Sequence, residues 1–484
     1  MQKKSIKKNY IFNLSYQILI MIIPLITTPY LSRVLGAENI GIYSYTLSIT
    51  TYFILFGSLG VAMYGQREIA FAQDDLYKRS KIFKEIVILR AITLLFSMFL
   101  FYIAFCSHGE YKVYYLIFLF EILANMIDIS WYFQGLEEFK KTVIRNTLVK
   151  IISVICIFLF VKTGGDLKKY IFIYVFSTFI GNLSLWLYIP KYTTKVKTKD
   201  LNVWQHFKPT VALFIPQIAI QIYTVLDKTM IGAMVSDKSE VGFYEQAQKI
   251  IKLLMTIATS VGTVMMPRIA NTYAKGDFKK LKEYMNNSFN FITMITFPLM
   301  FGIISVSYKF VPLFFGEGYD KVAPLMCIIS PIIVFIGLSN VTGTQYLLPT
   351  KQQKKFTISV VGGALVNFIL NFILIRYYKS IGASIATVVS ELLVTSIQFY
   401  LIRKEIKIKD VIKLSYKYFI ASIIMFLVSV GIGILIKNNV LSIIIQVIGS
   451  CITYFFILII LKNEFILKNI DETLKKVTRK KELN

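Results

Sequence analysis

Apolar runs separated by short basic clusters repeat along the whole chain, and each run is about 20 residues long. A helix of that length crosses the hydrocarbon core of a bilayer, which is about 30 Å thick. The pattern therefore predicts an all-α polytopic membrane protein with about fourteen transmembrane helices. The predicted spans are residues 10–34, 40–64, 82–105, 111–134, 143–162, 169–190, 209–234, 241–266, 284–308, 321–348, 354–376, 380–402, 414–436 and 440–461.

Lys and Arg residues concentrate on one side of these spans: in the first residues, in the loops after the even-numbered spans, and in the last residues. Loops rich in Lys and Arg stay in the cytoplasm. We therefore expect a multi-pass membrane protein with both termini cytoplasmic. The heavy use of Lys, Ile, Asn, Phe and Tyr is typical of a bacterium with an AT-rich genome, so the membrane is expected to be a bacterial plasma membrane. The loops are too short to hold a soluble domain, since the longest run to about 20 residues.

Composition agrees with a membrane protein and excludes an ordinary water-soluble one. Of 484 residues, 56% are hydrophobic and 17% are charged, whereas soluble domains carry about 25% charged residues. The 54 Lys and Arg residues exceed the 27 Asp and Glu residues, which gives a net charge of +27. Because the basic residues flank apolar runs and form no basic, aromatic stripe on a soluble domain, a nucleic-acid partner is not expected.

Metal, cofactor and nucleotide chemistry is not expected either. The chain has four Cys and two His residues, and their wide spacing fits neither a metal site nor a disulfide framework. No GxxxxGK[ST] phosphate loop is present. Transport would therefore draw on an ion gradient, the membrane potential or a substrate gradient, with H⁺ or Na⁺ as candidate coupling ions.

Short motifs recur in the same order about 200 residues apart, which indicates an internal duplication. The pairs are Gly41-Ile-Tyr43 with Gly242-Phe-Tyr244, Ser58-Leu-Gly60 with Ser260-Val-Gly262, and Arg67-Glu-Ile-Ala70 with Arg268-Ile-Ala270. We therefore expect two six-helix lobes in parallel orientation around a central cavity. The predicted domains are residues 1–195, residues 196–405, and an extra helix pair with a basic tail at 406–484.

Ionisable and amide side chains inside predicted spans are the candidates for function, because such groups usually face the protein interior or a wet cavity. Candidates for binding substrate are Arg33, Lys228, Lys249, Lys252, Asn13, Gln17, Gln217 and Gln221. Candidates for ion coupling or gating are Glu121, Asp227, Glu245 and Glu391.

Several of these residues have a purely structural alternative. Glu245 and Lys249 are four residues apart on one helix face and could simply neutralise each other. Arg33 could extend its charged end to the membrane surface. The amides Asn13 and Gln17, and likewise Gln217 and Gln221, could join helices instead of lining a cavity.

Three stretches resemble the Wzx-type polysaccharide flippases of the multidrug/oligosaccharidyl-lipid/polysaccharide exporter superfamily. They are NLSYQILIMIIPLITTPYLSRVLGAENIGIYSY, FIPQIAIQIYTVLDKTMIG and VGFYEQAQKI. The resemblance implies alternating access that moves an undecaprenyl-pyrophosphate-linked repeat unit to the outer leaflet, for capsule, O-antigen or teichoic acid synthesis. It also implies contact with membrane lipid and with other polysaccharide-assembly proteins. By position in these stretches, the resemblance implies functional roles in the cavity for Arg33, Asp227, Lys228, Glu245 and Lys249.

Two other functions remain open from the sequence. A drug or organic-cation antiporter of the same superfamily would share the fold, but its cavity would favour aromatic and carboxylate groups. A membrane glycosyltransferase or polymerase would need a large outer loop for its catalytic groups, and the predicted outer loops are short. We therefore expect a transporter and not an enzyme.

Overall fold

The computed structural model describes residues 6–467, with side chains described except at 6–18, 139, 215–217, 219–220, 222–223, 261 and 263–264. Over the described residues the chain is mainly helical, with short loops between the helices, and contains no strand. Its α-helices are α1 (Ile6–Ser58), α2 (Val61–Phe71), α3 (Leu76–Phe101), α4 (Lys112–Met126), α5 (Ser130–Gly135), α6 (Phe139–Phe160), α7 (Leu167–Trp186), α8 (Phe207–Met234), α9 (Ser239–Ala274), α10 (Phe278–Phe315), α11 (Val322–Ile329), α12 (Ile332–Ser339), α13 (Gln353–Leu401), α14 (Ile408–Leu435) and α15 (Asn439–Ile460).

The two longest helices each contain a sharp break, so each comprises two membrane spans. In α1 the break is at Gly36, whose φ of 77° suits glycine because glycine has no Cβ to clash. In α13 it is at Lys379, with φ 51°. These breaks separate the predicted spans 10–34 and 40–64, and 354–376 and 380–402.

The number of spans agrees with the hydrophobic pattern. Among the described residues, eleven helical segments are long and apolar enough to cross a bilayer. Two of them are divided at Gly36 and Lys379, and α8 supplies one further span. The prediction of fourteen spans in an all-α membrane protein is therefore confirmed.

The chain divides into two compact units, residues 1–242 and 243–484. In the first unit, α4 and α6 pack against α7, α1 packs against α3 and α8, and α2 packs against α5. Its buried aromatic core includes Phe83, Trp131, Tyr132 and Phe133.

The second unit is built around α10, which packs against α11, α12, α14 and α15. Polar groups join the last two helices to it: Ser429 Oγ of α14 donates to Ser305 Oγ at 2.9 Å, and Tyr454 Oη of α15 donates to the carbonyl of Met294 at 2.7 Å. Hydrogen bonds of this kind hold helices together where lipid removes the hydrophobic driving force. The domain boundaries at 195 and 405 and the duplication remain predictions.

Candidate functional site

Helix α9 carries polar side chains on one face at the spacing of successive helical turns. Gln248 and Lys249 lie three and four residues after Glu245, Lys252 lies three residues after Lys249, and Thr256 lies four residues after Lys252. Separations of three and four residues place side chains on one helix face. Together with Leu253 they line a cavity of about 190 Å³. A polar cavity therefore lies along a helix that is otherwise apolar enough to span the membrane.

The charges in this α9 cavity favour an anion. Two ammonium groups, Lys249 and Lys252, accompany one carboxylate, Glu245. Lys249 and Glu245 are half-buried and Lys252 is exposed. The structure thus brings together three of the residues that the sequence singled out, and their combined charge is positive.

Besides Leu253 and Thr256, Gln248 is a cavity residue that the sequence did not predict. Its side-chain amide donates from Nε2 to Tyr244 Oη at 2.6 Å, and Tyr244 Oη lies 2.9 Å from Thr387 Oγ1. The signal was present in the sequence, because Gln248 stands three residues after Glu245 and four before Lys252. A neutral amide does not stand out beside charged neighbours, however, and Thr387 is distant in sequence.

A second polar site lies in the first unit at Glu121 of α4. The residue is 8% exposed, and its Oε2 atom has no hydrogen-bond partner. Tyr174 of α7 lies within electrostatic range of this carboxyl group. The ring of Tyr43, from α1, lies 5.9 Å from that of Tyr174 and 4.9 Å from that of Tyr170. A buried carboxyl group therefore lies near a cluster of tyrosines.

The other candidate residues lie at varied depths. On α8, Asp227 is buried and Lys228 is half-buried. Arg33 on α1 and Gln221 on α8 are exposed, and Glu391 on α13 is buried. The side chains of Asn13, Gln17 and Gln217 lie outside the described residues.

The repeat-related glycines Gly41 and Gly242 mark a close backbone approach within residues 1–242. A Cβ atom on Gly41 would lie 1.8 Å from the carbonyl oxygen of Lys238. A Cβ atom on Gly242 would lie 2.1 Å from the carbonyl oxygen of Ala37. Only glycine fits at either position, so α1 and the start of α9 meet at a contact that any larger residue would open.

Family models match the chain in two overlapping regions. A model described as "Polysaccharide biosynthesis protein" matches residues 6–273, which is more than half of the chain. A model described as "MatE" matches residues 212–373.

Curated relatives carry related names. A "Putative O-antigen transporter" of Escherichia coli (strain K12) is 28% identical over 83% of this chain and 97% of its own length. The "Capsular polysaccharide biosynthesis protein CapF" of Staphylococcus aureus is 23% identical over 76% of this chain and 92% of its own length.

Solved structures share the fold. A "Lipid II flippase MurJ" in an inward closed conformation superposes with a TM-score of 0.78 at 20% identity, covering 94% of this chain and 100% of that one. An inward-facing multidrug resistance MATE family transporter gives a TM-score of 0.61 at 12% identity, covering 81% of this chain and 99% of that one. The chain is therefore a member of the polysaccharide biosynthesis protein family, within the multidrug/oligosaccharidyl-lipid/polysaccharide exporter superfamily.

Proposed function

We propose that this protein is a flippase for lipid-linked oligosaccharides, which it moves from the cytoplasmic to the outer leaflet of a bacterial plasma membrane by alternating access. The family match, the fold and the names of the relatives support this function. The cargo serves the synthesis of a cell-surface polysaccharide. In this proposal both termini are cytoplasmic, as the distribution of Lys and Arg predicts.

The α9 cavity is the observation that carries the proposal. A pyrophosphate is strongly anionic and needs cationic groups to bind it. Lys249 and Lys252 lie four and seven residues after Glu245, on one face of a membrane-spanning helix. Electrostatic attraction is stronger in such a low-dielectric region than in water. In our proposal the two ammonium groups bind the pyrophosphate, while Glu245 limits the net charge of the empty cavity.

Coupling to an ion gradient is assigned to Glu121. Burying a charged carboxylate without a partner destabilises the protein by roughly several kcal/mol, unless the group takes up a proton or binds a cation. Glu121 Oε2 has no hydrogen-bond partner, and a bound H⁺ or Na⁺ would satisfy it. Loading and release of that ion would then bias the conformational cycle.

A closure is assigned to the contact of Gly41 with Lys238 and of Gly242 with Ala37. In the predicted topology these residues lie at the outer ends of their helices. Tight backbone contact there would seal the outer side while substrate enters from the cytoplasm, and separation of the same helices would release it.

A drug or organic-cation antiporter is the second candidate, and the match to the MatE model favours it. The α9 cavity argues against it, because two ammonium groups repel a cationic drug. The two functions therefore differ in the charge of the ligand that the cavity binds.

Binding of undecaprenyl pyrophosphate to the purified protein, measured by native mass spectrometry, tests the proposal. Lys249→Ala removes a charge-assisted contact and should weaken binding by about ten- to a hundredfold. Lys354→Ala is the matched control, because Lys354 is an exposed lysine at the start of α13. The proposed role would be contradicted if the wild-type protein did not bind undecaprenyl pyrophosphate, or if Lys249→Ala bound it with the same affinity as the wild type.

A further inference from the structure

Gln248 lines the α9 cavity and has a side-chain hydrogen-bond acceptor without a donor. The residue lines the cavity and is 6% exposed. Its Nε2 atom donates to Tyr244 Oη at 2.6 Å, whereas its Oε1 atom is buried and has no partner. A buried acceptor without a donor destabilises the protein. A ligand that donates a hydrogen bond to this atom would offset that loss of stability.

The direction of the neighbouring hydrogen bonds fixes which atom of the amide is unmet. Thr387 Oγ1 donates its single proton to the carbonyl of Ala383 at 2.9 Å, and must therefore accept from Tyr244. Tyr244 has then used its own proton and accepts from Gln248. The nitrogen of the amide therefore points to Tyr244, and the oxygen is the atom left for a ligand.

The chemistry of that atom selects among the parts of a lipid-linked glycan. Phosphate oxygens that carry no proton cannot donate to an acceptor, but a sugar hydroxyl or an acetamido N–H can. Gln248 directly precedes Lys249, and consecutive Cα atoms are about 3.8 Å apart. A group bound by Gln248 is therefore close to the pyrophosphate that Lys249 binds.

We propose that Gln248 is a specificity-determining residue that accepts a hydrogen bond from the sugar attached directly to the pyrophosphate. Tyr244 and Thr387 are positioning residues that keep the amide oxygen available. This inference rests on the proposed function, since it assumes that the α9 cavity binds a pyrophosphate-linked glycan.

Two probes separate sugar recognition from pyrophosphate recognition: undecaprenyl pyrophosphate, and the same lipid carrying one N-acetylglucosamine. Binding of each to full-length protein is measured by native mass spectrometry. Gln248→Met should weaken binding of the glycosylated lipid by about tenfold and leave binding of the other unchanged. Lys249→Ala should weaken both.

Gln345→Met is the matched control. Gln345 is a fully buried glutamine. Like Gln248, its Oε1 atom has no partner and its Nε2 atom donates to a side chain, in this case to Asn340 Oδ1 at 3.1 Å. It does not line the α9 cavity. Its substitution should leave the ratio of the two affinities unchanged.

Tyr244→Phe provides a second variant if Gln248→Met does not fold. Loss of the Tyr244 hydroxyl frees the amide to rotate, so the preference for the glycosylated lipid should fall. The role of Gln248 is overturned, while the proposed function stands, if either variant weakens binding of both lipids equally. It is also overturned if neither variant changes the binding of either lipid. Failure of the wild type to bind either lipid overturns both.

Discussion

Buried carboxyl groups in this protein differ in how completely their oxygen atoms are hydrogen-bonded. Glu85 accepts from the backbone N–H of Asn202 at 2.6 Å and from Gln205 Nε2 at 3.0 Å, and its Oε2 lies 2.9 Å from His206 Nε2. Glu121 Oε2 has no such partner. Glu85 therefore holds the segment before α8 against α3, whereas for Glu121 we propose ion binding.

Replacement of Glu85 should destabilise the protein. Glu85→Ala removes a fully buried carboxylate and leaves the buried His206 ring and the backbone N–H of Asn202 without it, which should cost roughly 2–4 kcal/mol. Thermal unfolding in detergent measures the effect as a lower Tm. Glu283→Ala, at an exposed position on α10, should leave the Tm nearly unchanged. Equal Tm values for the two variants would contradict the structural role.

Replacement of Glu121 should uncouple transport from the ion gradient. Glu121→Gln keeps the size of the side chain but cannot bind a proton or a cation in the same way. Flipping in proteoliposomes should lose its stimulation by a pH or Na⁺ gradient, while affinity for undecaprenyl pyrophosphate stays at the wild-type value. Gradient stimulation that survives in this variant would remove Glu121 from the coupling mechanism.

The sequence was informative about charged residues in the site and uninformative about its neutral ones. A Lys or Glu in an apolar span stands out because it is costly there, so Glu245, Lys249 and Lys252 were found. Gln248 was missed because the use of its amide depends on Tyr244 and Thr387. Hydrogen-bond direction across helices distant in sequence has no local signal.

At the scale of helices, the pattern of apolar residues predicted the number of spans but not where each helix ends or how the helices join; α10 covers Phe278–Phe315, whereas the predicted span is 284–308. Spans 10–34 and 40–64 run into each other through the single break at Gly36, with no intervening loop. Residues 321–348 were predicted as one helix, whereas α11 and α12 are followed by a π-helical segment, Asn340–Leu347. Such changes of helix type depend on local hydrogen bonding and packing, which the apolar pattern does not encode.

The contact between α1 and the start of α9 gives a prediction at this scale. Gly41→Ala places a methyl group against the carbonyl of Lys238 and should disfavour the close approach. In a background lacking the four native cysteines, labelling of Ala37→Cys by a membrane-impermeant maleimide should rise severalfold.

Gly431→Ala on α14 is the matched control, because nothing lies within 4 Å of a Cβ at that position. This substitution replaces a helix glycine by alanine, which is the better helix former. Labelling of Ala37→Cys should stay at the level seen without it. Unchanged labelling in Gly41→Ala as well would mean that the close approach is not a closure.

For the whole molecule, the sequence established the class of protein and the number of spans. Both follow from the thickness of a bilayer and the cost of exposing polar groups to lipid, which act on each segment separately. Packing of α14 and α15 on α10 was not predicted, because it depends on the fit between side chains of helices far apart in sequence. The lobe boundaries depend in the same way on packing and stay predictions.

Transport by the isolated protein tests the central claim most directly. Liposomes containing only this protein and a fluorescent undecaprenyl-pyrophosphate-linked glycan are assayed for movement of the label between leaflets, with and without a pH or Na⁺ gradient. We expect protein-dependent flipping that a gradient accelerates. Absence of flipping, with uptake of an organic cation by the same liposomes, would contradict the flippase function and identify a drug antiporter instead.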